Sequence, residues 1–191
     1  MRDILKALRP VASIVCVAVV WSSGPVAAAH YPLTLRENIG WGAPSHMGDT
    51  DGLEASARRA GVPRDIVWDT VLSRGYDGGV DLSGGQWQRV ALARALFAVM
   101  HGARILVLDE PTAWLDARGE ADFFDRFLEI TQGTTSLIIS HRFSTVRRAT
   151  HICVLEGGRV VEHGDHESLL AAGNRYAELF RLQAARYEEV G

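Results

Sequence analysis

Two neighbouring stretches constrain this chain more than any other feature: Leu82 to Leu96 (LSGGQWQRVALARAL) and Ile105 to Asp116 (ILVLDEPTAWLD). In the first, Ser83-Gly84-Gly85-Gln86 stands directly before a helical pattern that places Val90, Ala93 and Phe97 on one face. The first turn of a helix leaves N–H groups unpaired and carries about half a positive charge, so it favours an anion. Glycine lets the backbone come close to a phosphate, and Ser83 adds a hydroxyl. A bare Ser-Gly-Gly would equally describe a Ser-capped helix after a glycine turn.

The second stretch opens as a short apolar run, Arg104 to Leu108, of the kind expected of a strand covered on both faces. It ends in Asp109 and Glu110. Ligands of open α/β sheets collect at the carboxyl ends of strands. A carboxylate at that place can hold Mg²⁺, usually through water. A second can orient and polarise an attacking water, a role that contributes about 10²–10⁴-fold. His141 ends another strand-like run, Thr134 to Ser140, and so falls on the same edge of such a sheet.

With Gln86, Gln88, Arg89 and the run Ala91 to Ala95 attached, Leu82 to Leu96 resembles the signature segment of ATP-binding cassettes, the motor domains of ABC transporters. Leu106 to Thr112 resembles their Walker B segment, and Ala113-Trp114-Leu115-Asp116 their D-loop, with Trp114 where a small residue is usual. The resemblance runs from Tyr31 to about Tyr187; Glu162-His163-Gly164-Asp165-His166 and Tyr176 to Gln183 favour the exporter type. It implies an α/β fold: a partial RecA-like P-loop NTPase core with the helical signature subdomain. It also implies ATP and Mg²⁺ as cofactors, with Asp109 on the metal, Glu110 as general base and His141 as the switch at the γ-phosphate. Ser83, Gly84, Gly85 and Gln86 would meet ATP held by the opposite cassette, and Asp116 would link the two sites. Read without the family, Asp116 could be no more than a helix N-cap. The implied partners are a second cassette and a transmembrane transporter domain, at the cytoplasmic face of the cell membrane. Arg74 to Val80 is either the surface that touches that membrane domain or a Gly-rich linker. His163 and His166 fall inside the family's segment after the last hairpin, which argues against a separate metal site.

One part of the family pattern is missing from this sequence. No phosphate loop of the form G-x-x-x-x-G-K-[ST] occurs, and the single lysine, Lys6, has no glycine near it. Losing that cradle should remove most nucleotide affinity, because phosphoryl transfer rests on positioning and charge stabilisation. Three readings of function follow: a transporter cassette that works when its missing half is supplied, a non-catalytic partner that donates its signature to an intact cassette, or a nonfunctional gene fragment. Chromosome-maintenance proteins with a similar signature would need long coiled-coil heptads, which the sequence lacks. A net charge of −3 gives no reason to expect nucleic acid as a partner. Cys16 and Cys153 have no metal-ligand spacing and fit a reducing compartment.

The organisation expected is an N-terminal segment, 1–30, outside the family pattern; a helical signature subdomain, 31–101; an α/β core, 102–165; and a helical tail, 166–191. For residues 1–30 several readings stay open. Arg2, Lys6 and Arg9 before the uncharged run Val11 to Trp21, then Ala27-Ala28-Ala29, form a signal-peptide pattern. Val15 to Val20 could instead be a buried strand, or the segment could come from a rearranged or frameshifted gene start. Further along, Asp51 and Glu54 read as a capping-box-like helix start with Leu53, Ala57 and Ala60 on one face and Gly61 as the stop. Pro63 opens a further helix carrying Ile66, Val67 and Val71. Phe123, Phe127 and Ile130 share a face in a later helix, and Gly157-Gly158 turns a hairpin before a helical tail broken near Gly173-Asn174.

Overall fold

The computed structural model describes residues 14–19, 30–112, 115 and 117–188. The chain divides into two compact units, one formed by Pro25–Arg104 and the other by the strand near the chain start together with Ile105–Gly191.

The first unit is helical: α1 (Leu35–Gly40), a 3₁₀ turn (Pro44–His46), α2 (Thr50–Ala60) and α3 (Gly84–Met100). A capping box starts α1. The Thr34 hydroxyl accepts from the Glu37 N–H at 3.2 Å, and the Glu37 carboxylate accepts from the Thr34 N–H at 2.9 Å. That backbone hydrogen bond, seconded by the Thr34 hydroxyl, holds the Glu37 carboxyl below its ordinary pKa. The next N–H groups, of Leu35 and Arg36, donate to the carbonyls of Thr70 (3.1 Å) and Trp68 (3.0 Å). This explains why the helix expected around Ile66, Val67 and Val71 does not form. Residues 61–72 run as turns whose carbonyls complete the first turn of α1, and Val67 is left 66% exposed.

α2 starts at Asp49, not at the Asp51–Glu54 pair. The Asp49 carboxylate accepts from the Gly52 N–H at 3.0 Å, and three residues on from Asp49 stands a glycine, so no reciprocal box can close. The expected stop holds: Gly61 takes a left-handed φ of 70°. Leu53, Ala57 and Ala60 are buried, as are Val90, Ala93 and Phe97 on α3. Each large apolar side chain buried this way contributes about 1.5–3 kcal/mol. α1 and α3 are joined through Asn38, fully buried, whose amide donates to the carbonyls of Tyr31, Leu33 and Thr34. Arg94 of α3 donates to both the Asn38 carbonyl (2.6 Å) and its side-chain oxygen (3.0 Å). Gly42 is required here, because a Cβ would lie 2.1 Å from the Arg94 carbonyl oxygen.

The second unit is a five-stranded sheet in the order β2-β3-β1-β4-β5, with β1 at Ile14–Val19, β2 at Ile105–Asp109, β3 at Thr135–Ser140, β4 at His151–Glu156 and β5 at Arg159–Gly164. The first four strands are parallel and β5 closes an antiparallel hairpin on β4. Gly157 and Gly158, at φ 56° and 74°, supply the two left-handed residues of its turn. Of the readings open for the first thirty residues, the strand is the one with described backbone; the charged start and the Ala27–Ala29 site lie outside the described residues.

The sheet buries one face along β2–β4, and on the other face buries Cys153, packed by Leu137, Ile139 and Leu155. Leu106 and Leu108 of β2, Ile138 of β3 and Ile152 and Val154 of β4 are buried and lie on one side of the pleat. On the other side Ile105 is 72% and Val107 59% exposed, so the expectation that β2 is covered on both faces is not met among the described residues. Four helices complete the unit: α4 (Ala117–Ile130), α5 (Phe143–Val146), α6 (His166–Ala172) and α7 (Arg175–Glu188). In α4 the buried aromatics are Phe124 and Phe127, while Phe123, expected on that face, is half-buried. The break between α6 and α7 falls at Gly173, as its spacing predicts. Tyr176 of α7 is fully buried against the Phe143 ring, with its hydroxyl 2.8 Å from His166 Nδ1.

Candidate functional site

In a parallel sheet whose order departs from chain order, ligands gather beyond the carboxyl ends of the strands. β2 and β3 are register neighbours, Asp109 opposite Ile139, so the residues that follow each strand emerge side by side. Asp109, the last residue of β2, is exposed. Glu110 comes next with φ 45°, a left-handed conformation unusual for a non-glycine residue and of the kind that collects at functional sites. Its N–H still extends the ladder to the Ile139 carbonyl at 2.9 Å.

That turn aims the Glu110 side chain at the end of β3. Oε1 accepts from the His141 backbone N–H at 2.9 Å and lies 2.6 Å from His141 Nδ1. An ionised carboxylate only accepts, so Nδ1 carries a proton in this pair and Nε2 is the ring nitrogen left for a ligand. The His141 side chain is 66% exposed and Glu110 25%. Glu110 Oε2 is shielded and finds no hydrogen-bond partner among the described residues. A shielded oxygen without a donor costs about 1–3 kcal/mol, so this atom calls for a bound water or cation.

The turn after His141 is held from two sides. Gln183 of α7 donates to the His141 carbonyl (3.3 Å) and accepts from the Phe143 N–H (2.9 Å). From α4, the carboxylate of Glu120, 3% exposed, accepts from the hydroxyls of Thr112, Ser144 and Thr145 and from Arg142. Burial works to raise the Glu120 pKa, but the Thr145, Ser144 and Thr112 hydroxyls and the Arg142 guanidinium outweigh it and keep the carboxyl ionised below its ordinary range. Sequence reasoning missed Glu120, Gln183 and, in the helical unit, Asn38. Their partners stand 20 or more residues away for Glu120 and Gln183, beyond any local spacing rule, apart from Thr112. Asp116, Ala113 and Trp114 of the expected D-loop lie outside the described residues; Leu115 is described, and its carbonyl accepts from Arg142 at 2.9 Å.

The Ser83–Gln86 segment belongs to the helical unit. Ser83 caps α3 through a capping box: its hydroxyl accepts from the Gln86 N–H at 3.3 Å while Gln86 Oε1 accepts from the Ser83 N–H at 2.8 Å. The Ser83 O–H hydrogen stays free to donate outward. Ser83 and Gly84 are exposed, and a Cβ at Gly84 would meet nothing within 4 Å. No packing among the described residues of this unit therefore requires a glycine there. Of the two alternatives open from sequence, the Ser-capped helix is the one this geometry shows. Trp87 packs beneath, 2% exposed and stacked on His30 at 4.3 Å.

A largely parallel sheet with two carboxylates and a histidine along its carboxyl edge makes this an open α/β fold with its candidate site at that edge. The sequence model of the family described as ABC transporter matches residues 28–113. The ATP-dependent lipid A-core flippase of Burkholderia thailandensis is 40% identical over 78% of this chain and 24% of its own length. The cyclolysin secretion/processing ATP-binding protein of Bordetella pertussis is 44% identical over 79% of this chain and 21% of its own. Among solved structures, a bacterial Atm1-family ABC exporter with ATP bound superposes with a TM-score of 0.70 and 31% identity, over 88% of this chain and 28% of the exporter. The chain belongs to the ABC transporter family, as nucleotide-binding-domain sequence of the exporter type. It spans about a quarter of the length of these relatives, between 21% and 28%. No helix among the described residues is long and apolar enough to cross a membrane.

Proposed function

We propose that this chain is the signature-bearing part of an exporter-type cassette, coupling ATP hydrolysis to transport once its missing phosphate-loop half is supplied. The observation that carries this reading is the Glu110–His141 pair at the carboxyl edge of the sheet, with Glu110 Oε2 shielded and without a donor. In this reading Glu110 orients the attacking water through that oxygen, and its other oxygen fixes His141 so that Nε2 faces the γ-phosphate. Asp109 is a single exposed carboxylate, and no group of three or more His, Cys, Asp or Glu that could hold a metal occurs among the described residues. That set fits Mg²⁺, which keeps several waters and takes one or two carboxylates. When bound, the ion supplies charge neutralisation on the phosphate oxygens.

The exposed α3 N-terminus supports the second half of the proposal. Ser83, Gly84, Gly85 and Gln86 present a hydroxyl, bare backbone and the helix dipole to ATP held by a second cassette, with Asp116 linking the two sites. The partners are then a second cassette and a transmembrane transporter domain, with the chain at the cytoplasmic face of the membrane. A non-catalytic role is the second reading, favoured by the lack of a G-x-x-x-x-G-K-[ST] loop in this sequence.

ATP turnover by the purified chain, alone and mixed with an intact exporter cassette, tests both. Turnover that appears only in the mixture and falls on Glu110→Gln in this chain supports the catalytic reading. Turnover that is raised by the chain but indifferent to Glu110→Gln, and lost on Ser83→Arg, supports the donor reading. A mixture no faster than the intact cassette alone overturns both.

A further inference from the structure

We propose that Glu120 is a positioning residue that holds the Glu110–His141 pair together, acting from α4 on the two turns that carry them. The inference deepens the functional reading above and rests on it for its relevance to ATP.

The two turns leave adjacent strands and have no covalent reason to stay in register beyond their ends. Thr112 lies two residues after Glu110; Arg142, Ser144 and Thr145 follow His141 directly. Glu120 reaches all four. Oε1 accepts from the Thr112 hydroxyl at 3.0 Å and from Thr145, and Oε2 accepts from Ser144 at 2.8 Å and lies 3.5 Å from Arg142 Nη1. One carboxylate oxygen thus joins the Glu110 turn to α5, and the other gathers the residues after His141. Thr112 is fully buried and Thr145 2% exposed, so neither hydroxyl has water as an alternative acceptor. Arg142 continues the tie by donating to the Leu115 carbonyl at 2.9 Å. Every element packed on this carboxylate supplies a donor, and a single formal charge organises them.

The consequence is specific. Glu120 makes no hydrogen bond to the His141 ring among the described residues, so the carboxylate acts by fixing the backbone that brings Nδ1 within 2.6 Å of Glu110. In Glu120→Gln one of the two accepting oxygens becomes an NH2 that donates, so either the Thr112–Thr145 pair or Ser144 loses its acceptor, the arginine loses its counter-ion, and the His141 turn gains freedom to leave Glu110.

The test is the ring tautomer of His141, read by ¹H–¹⁵N NMR of the full-length chain at one fixed pH. The unmodified chain is expected to show a protected Nδ1–H signal, assigned by its loss in His141→Gln. In Glu120→Gln that signal is expected to be lost, while the amide spectrum of residues 31–104 stays in place. Glu120→Asp, which keeps the charge one methylene back, is expected to restore part of it. A protected Nδ1–H signal of undiminished intensity in folded Glu120→Gln overturns the proposal. The readout needs no ATP. Loss of the signal in a chain that never supports ATP turnover upholds the positioning role while the functional reading fails; turnover with an intact Nδ1–H signal in Glu120→Gln overturns the positioning role alone.

Discussion

Glu110 holds His141 twice with one oxygen, accepting from its backbone N–H at 2.9 Å and lying 2.6 Å from its ring Nδ1. The backbone contact fixes where the residue is and the ring contact fixes how it faces. The left-handed φ of Glu110 makes both contacts reachable from one side chain.

This geometry separates two substitutions that are usually treated alike. Glu110→Gln keeps an oxygen for the His141 N–H but loses the carboxylate that polarises water, so turnover in the mixture with an intact cassette should fall by about 10²-fold or more. His141→Ala leaves the carboxylate and its backbone contact but removes the ring contact and the proposed phosphate contact, so its loss should be smaller, on the order of 10-fold. Steady-state phosphate release checks the ranking, and equal losses would contradict it.

Glu120 should set an acid limit on stability. Its folded-state pKa is lowered, so its contribution is present above the ordinary glutamate range and disappears as pH falls through the lowered folded value. Urea midpoints measured from neutral to acid pH should decline on the acid side in the unmodified chain. The decline should be shallower in Glu120→Gln, which starts from a lower plateau.

Two glycines give opposite expectations. At Gly42 an added Cβ would lie 2.1 Å from a backbone carbonyl, so Gly42→Ala should destabilise by about 1–3 kcal/mol. At Gly84 the Cβ meets open space on an exposed helix, so Gly84→Ala should leave stability unchanged or raise it by up to about 1 kcal/mol. The same Gly84→Ala should weaken any stimulation of an intact cassette, since its bare backbone serves only a partner. Thermal melts and the mixed ATPase assay read the two effects separately.

The open side of β2 should govern solubility. Ile105 and Val107 stand 72% and 59% exposed on the outermost strand of the sheet, a template for pairing with another chain. Ile105→Lys with Val107→Glu should delay the onset of light scattering on concentration. Far-UV circular dichroism should stay the same, because neither side chain is buried in this unit.

The sequence made the long helix α3, the strands and the glycine-turned hairpin legible because each is written in local spacing: apolar period, cap residue, paired glycines. Asp109, Glu110 and His141 were legible because a strand's end is where a polar residue interrupts an apolar run. Pro63 with Ile66, Val67 and Val71 satisfies a helical pattern, while the groups that segment actually serves belong to Leu35 and Arg36. Asp51 with Glu54 fits a local box for a similar reason, yet the first turn closes from Asp49 onto Gly52. Glu120 was invisible for a different reason. A glutamate in the first turn of a helix looks like a favourable charge on a dipole, and only the folded chain shows it surrounded by hydroxyls from a distant turn.

The place of β1 in the sheet has a consequence in time. β3 and β4 follow each other in the chain but are not neighbours; each pairs with β1, residues 14–19, instead. At about 5–20 residues per second, the ribosome finishes β4 on the order of ten seconds after β1 has emerged. Until β3 is made the apolar strand IVCVAV has neither of its neighbours, until β4 is made one of its edges stays open, and the ends of a very long loop must meet before the sheet can join its two halves. Completion of the sheet thus waits on an early strand taking its place between two later ones, and until it does, chaperones that shield nascent apolar segments have a target in this chain.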